Sequence, residues 1–222
     1  MKRIHLPNMG PDIKNVPVAI AIGVRECKIL ACDRIAIITP MKSGLDSTIL
    51  GEFLGPDVAK QLMRGAAIPI GAHGVSLIHE SVATIQKIQT PRVGLAFYLS
   101  KGHIQKLDDM DFECLIFVPW LDKDGETWAN KWNAITHGSG NPSAQINLSK
   151  DIVEALTNLT ACVNLSTGLT HPSDKINAKR TFAKLKAAKL TWKPEEIEKW
   201  AARNGWTAAD ASELAKLSER YK

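Results

Sequence analysis

The chain has 222 residues, 45% of them hydrophobic and 23% charged, with a net charge of +5. This is the make-up of an ordinary globular protein with enough apolar material for a core, not of a disordered chain or a disulfide scaffold. The longest smooth apolar run, residues 16–24, has nine residues, against the roughly 20 that a membrane helix needs.

In chain order, a weak strand candidate at 3–8 precedes a helical pattern over 16–33, with Ile20, Val24, Cys27 and Ala31 on one stripe. Residues 34–39 form a short, nearly continuous apolar run, the mark of a strand buried on both faces. Residues 47–54 and 56–65 predict two helices broken at Gly55-Pro56, with Pro56 at a first helical position. A second weak strand lies at 66–71. The stretch 74–89 predicts a helix with Val75, Ile78, Val82, Ile85 and Ile88 on one face. Residues 92–99 and 112–120 repeat the buried-strand pattern, followed by helical patterns over 101–110 and 125–135. Alternating strands and helices predict an α/β fold over 1–135: a mostly parallel, Rossmann-like sheet with helices on both faces. The Gly/Ser/Asn/Pro cluster from Thr136 opens a linker over 136–148. A C-terminal all-helical segment follows at 149–222, with helices over 149–164, 173–188, 194–204 and 207–221 and start signals at Ser173, Pro194 and Thr207.

The basic start Met1-Lys2-Arg3 is followed by His5, Pro7, Asn8 and Gly10 rather than an apolar segment, so a soluble cytoplasmic protein is expected. Cys27, Cys32, Cys114 and Cys162 form no C-x-x-C pair and have apolar neighbours, which predicts core thiols in a reducing compartment.

Ligands of an open parallel sheet bind outside the carboxyl ends of its strands, so the turns after each strand are the places to inspect. The turn after 34–39 is the most suggestive. Lys42 supplies a point charge, Gly44 a close backbone approach, and Ser43, Ser47 and Thr48 supply hydroxyl donors where a helix begins. The run Ser43-Gly44-Leu45-Asp46-Ser47-Thr48 resembles the PP-loop of ATP pyrophosphatases, which implies a cradle for the pyrophosphate of ATP. It has one glycine fewer than that family, and Pro40, Met41 and Lys42 separate it from the strand. The alternative is a helix cap in which Ser43 or Asp46 accepts bonds from the first amides.

Asp122 and Asp124, with Glu126, follow the last strand and offer hard oxygen ligands to Mg²⁺, although an EF-hand register fails around Gly125. His73 and His103 fall in turns read as strand ends and are candidates to face a bound phosphate. A nucleotide such as ATP with Mg²⁺, or another phosphorylated small molecule, is thus the expected ligand, of an ATP-using enzyme or of a sensor without turnover.

A competing function sits in the tail. The segment 171–222 holds 12 of the 28 basic and 7 of the 23 acidic residues, a net +5, while the rest of the chain, with 16 of each, is neutral. Lys179, Arg180 and neighbouring lysines can meet phosphates, and a helix-turn-helix pattern spans Asn204-Gly205. Trp120, Trp128 and Trp132 earlier in the chain and Trp192, Trp200 and Trp206 in the tail are expected in the core, the alternative being a stacking platform for bases near the basic tail. A nucleic-acid- or protein-binding adaptor is the alternative function.

Overall fold

The computed structural model describes residues 1–71, 74–86, 91–139 and 145–222. Contacts divide the chain into two compact units, Met1–Ala129 with Ala134–Pro142, and Asn130–Asn133 with Ser143–Lys222.

The first unit is mixed α/β. Its strands are β1 Lys2–His5, β2 Arg34–Thr39, β3 Ile68–Ile70, β4 Val75–Ser81, β5 Val93–Phe97, β6 Cys114–Val118 and β7 Ile135–Thr136. They form one sheet in the order β3-β4-β2-β5-β6-β1-β7, parallel at every pairing except β3 with β4. β5 and β6 are buried along their whole length and β2 from its second residue on, which is why they read as unbroken apolar runs. α1, Asn15–Leu30, lies over the face carrying Ile35 and Leu95. A Cβ on its Gly23 would stand 3.2 Å from a methyl of each. That close approach turns the buried stripe to Val16, Ala19, Ile22, Gly23, Glu26 and Cys27, so Ile20 and Val24 of the expected stripe are only half-buried. On the alternate pleat, Phe117 meets Trp128 of α5, Asp122–Trp132, edge to face at 5.3 Å.

The expected helix over 74–89 is corrected. Residues 75–81 are β4, hydrogen-bonded between β2 and β3, with Val75, Leu77, His79 and Ser81 inside. Val75, Ile78 and Val82 fit a helical period, but the same stretch alternates in burial at period two, and pairing with β2 decides. Residues 87–90 of that stretch lie outside the described residues. Gly55 and Pro56 separate α2, Ile49–Leu54, from α3, Pro56–Met63, and Ser100 caps α4, Lys101–Asp108.

The second unit is helical: α6 Lys150–Cys162, α7 Pro172–Ala187, α8 Pro194–Arg203 and α9 Ala208–Glu219. Its core gathers Ile152, Leu156 and Leu159 with Phe182, Ile197 and Leu214. Trp192, Trp200 and Trp206 are buried there, and Trp206 donates to the Thr160 hydroxyl at 2.9 Å. Thr207 caps α9 and Pro194 opens α8 as expected. α7 begins one residue earlier than the Ser173 signal, with Pro172 at its first position. Ile176 of α7 is 46% exposed. Of the four free cysteines, Cys27 and Cys114 are buried and Cys32 is half-buried, whereas Cys162 is exposed at the end of α6, contrary to the core placement expected. Among the described residues no helix is long and apolar enough to cross a membrane.

Candidate functional site

Neighbouring parallel strands send their connections in opposite directions at more than one place, β6/β1 and β2/β5 among them, and the loop 40–48 borders the second. From β2 the chain leaves through α2 and α3 toward β4, and from β5 it leaves through α4 toward β6 on the opposite side. β2 and β5 are parallel neighbours whose connections lead in opposite directions, the arrangement at which open α/β sheets bind ligands outside the strands' carboxyl ends. The loop 40–48 follows β2 and the start of α4 follows β5.

On the β2 side, the Thr39 hydroxyl donates to the carbonyl of Met41 at 2.7 Å, and Gly44 turns the chain at φ +80°. A 3₁₀ turn over Leu45–Ser47 follows, and Thr48 caps α2. Thr48 Oγ1 accepts from the Gly51 amide and donates to the Leu45 carbonyl, and Ser47 Oγ donates to the Gly44 carbonyl. Two of the three hydroxyls expected to face phosphate are therefore bonded within their own loop. The cap is Thr48 rather than Ser43 or Asp46, because the 3₁₀ turn delays the helix by one turn. Asp46 and Ser43 are exposed. The cap packs against backbone: a Cβ on Gly51 would lie 2.5 Å from the Leu45 carbonyl oxygen.

Lys42 reaches toward Glu80 of β4 at 3.5 Å. Beneath this pair, His79 Nε2 lies 2.8 Å from Thr39 Oγ1. The Thr39 hydrogen is directed to Met41, so Nε2 is the donor. Nδ1 is then left as a buried acceptor without a partner among the described residues. Burial, reinforced by the charge of Lys42 and opposed by Glu80, pushes the ring down to about 4, and His79 is neutral near pH 7.

On the β5 side, Tyr98 takes a left-handed conformation, φ +56°, that few non-glycine residues adopt. Its amide extends the pairing to the Val118 carbonyl at 2.8 Å. Its ring meets Trp120 edge to face at 5.4 Å, and Trp120 is 48% exposed rather than core. Ser100 caps α4 by accepting from the His103 amide, and the amides of Lys101 and Gly102 have no acceptor among the described residues. His103 is half-buried in the first turn, and Lys101 is exposed.

The remaining candidates lie elsewhere. Asp122 Oδ1 stands 3.4 Å from His5 Nε2 and accepts from the Asn8 amide at 3.3 Å. Asn8 in turn donates to the carbonyls of Gly10 and Pro119 and accepts from Asn15. Burial lowers the pKa of His5, with Asp122 and Glu126 opposing. Asp122 is thus held within the β1–β6 end of the edge, and Asp124 is exposed. Among the described residues no group of three His, Cys, Asp or Glu that could hold a metal ion is present. His73 lies outside the described residues. Gly71 and Gly74 stand at the amino end of β4, because β3 runs antiparallel to it.

Sequence reasoning missed Thr39, His79 and Tyr98. Tyr98 closes a recognised strand and was read only as apolar. His79 was hidden by the helical reading of 74–89.

A family model described as a domain of unknown function, DUF1889, matches residues 149–222, about a third of the chain and the stretch from the α6 cap to the end of the helical unit. No curated protein and no solved structure matches the chain.

Proposed function

We propose that the α/β unit binds a phosphorylated small molecule, with a nucleotide as the fullest form, in a Rossmann-like manner at the carboxyl ends of β2 and β5. The single observation that supports this reading is the divergence of the β2 and β5 connections, with Lys42 in the loop after β2 and the open amides of α4 in the connection after β5. Lys42 and Lys101 bring positive charge, Ser43 a hydroxyl with no internal partner among the described residues, and Lys101 and Gly102 the N–H groups of a helix start. His103 faces the phosphate from the same turn. Trp120, half exposed beside Tyr98, offers a ring face for a base. Mg²⁺ arrives with the phosphates, as suits a small ion that keeps its own water. The free cysteines fit a reducing, cytoplasmic setting.

A thermal-shift screen with ATP, GTP and inorganic phosphate, with and without Mg²⁺, tests the reading. Ligand at about 100 times its dissociation constant adds roughly 2.7 kcal/mol of stability. The shift should vanish in Lys42→Ala and persist in Thr48→Ala, whose hydroxyl is bonded within the loop. Turnover of the stabilising nucleotide identifies an ATP-using enzyme, and a shift without turnover identifies a sensor. No shift with any probe, or one untouched by Lys42→Ala, refutes the site.

A further inference from the structure

We propose that the groove between α6 and α7 takes an acidic amphipathic helix of a partner protein. The groove encloses about 570 Å³. Its floor is apolar: Ala155 and Leu159 from α6, and Leu185 and Ala188 from α7 and its end. Its wall on α7 carries Arg180 and Lys184, one turn apart. The lining runs along α7 from Asn177 to Ala188, about 16 Å at 1.5 Å per residue, which matches three turns of a docked helix.

Charge selects the occupant. Of the other charges of α7, Lys175 pairs with Glu213 at 2.9 Å, Lys186 donates to the Lys222 carbonyl, and buried Asp174 accepts from the Asn164 amide, while exposed Lys179, outside the groove lining, adds to the positive charge beside it. Arg180 and Lys184 are exposed and have no acidic partner among the described residues. A helix with apolar side chains at i, i+3 or i+4 and i+7 would sit on the leucine floor. Asp or Glu one turn apart on its flank would meet the two cations. Nucleic acid fits less well, since no aromatic ring lines the groove and Trp192, Trp200 and Trp206 are buried in the unit's own core. A second copy docked groove to groove would bring Arg180 and Lys184 against their like.

The test is fluorescence anisotropy of the full chain with three labelled probes. One is a designed amphipathic helical peptide of about three turns with Leu on one face and Glu on its flanks. The second carries Lys in place of Glu, and the third is a single-stranded oligonucleotide. The acidic peptide should bind and the Lys peptide should not. The double variant R180E/K184E should bind the acidic peptide at least about tenfold more weakly and gain affinity for the Lys peptide, a coupling of the size charge pairs give at interfaces. R180Q/K184Q should weaken the acidic peptide without that gain, and both variants should melt like the parent, because the two side chains are exposed. Equal binding of both peptides, binding of the acidic peptide unchanged by charge reversal, or no binding overturns the proposal. Tighter, steeply salt-dependent binding of the oligonucleotide that is lost in R180E/K184E also overturns it and assigns the groove to nucleic acid.

Discussion

Nε2 of His79 and Oγ1 of Thr39 stand 2.8 Å apart and join the carboxyl ends of β4 and β2. The bond holds Thr39 in place as it donates to Met41, and so sets the first step of the loop that carries Lys42.

The burial of His79 predicts a pH dependence. Burial first, and Lys42 second, push His79 from 6.5 down to about 4, with Glu80 opposing. The unfolded chain takes up a proton across that interval and the folded chain does not. The stabilisation is therefore complete above about pH 6.5 and is lost as pH falls toward about 4. Its full extent is roughly 3 kcal/mol at about 1.36 kcal/mol per pH unit. Urea melts near neutrality and about two pH units below should show the loss, with buried His5 adding in the same direction. His79→Leu should be less stable at neutral pH and show a shallower acid slope. An acid slope equal to the parent's assigns the effect to other groups.

Glycine substitutions separate the cap from the helix start. Gly51→Ala drives a Cβ to within 2.5 Å of the Leu45 carbonyl oxygen and should cost about 1–3 kcal/mol or more, since the obstacle is backbone. Gly102→Ala meets nothing within 4 Å, sits in α4 without a positive φ, and should stabilise by about 0.4–1 kcal/mol. Chemical denaturation of the two variants checks both signs.

Much of the fold was legible because of how particular strands are buried. β2, β5 and β6 are covered on both faces and read as apolar runs, while Thr207 and Pro194 announce α9 and α8 by local chemistry. β4 was not legible, because Val75, Ile78 and Val82 satisfy a helical period and only pairing with β2 resolves the ambiguity. The stripe of α1 was misread since Glu26, charged yet 1% exposed, is buried by its bonds to Lys2 and Arg25. At the site, Lys42 and Gly44 were placed at a strand end correctly. Sequence alone does not say where a hydroxyl points, and Ser47 and Thr48 turn to their own loop. The divergence of the β2 and β5 connections depends on strand order, which no local pattern encodes.

Three buried tryptophans are part of the helical unit's core. Trp200 is 5% exposed in a core with Ile197 and Leu214. Trp200→Ala should cost roughly 3–5 kcal/mol. A thermal melt followed by far-ultraviolet circular dichroism measures it, and a loss below about 1 kcal/mol contradicts the burial described, since surface changes stay within about ±0.5 kcal/mol.

Amide hydrogen exchange with and without saturating ATP and Mg²⁺ tests the central claim most directly, because it reads both connections at once. The account predicts added protection in residues 40–48 and in 98–103 together, and its loss in Lys42→Ala. Protection confined to one of these segments, or appearing only in the helical unit, contradicts a site at the carboxyl ends of β2 and β5.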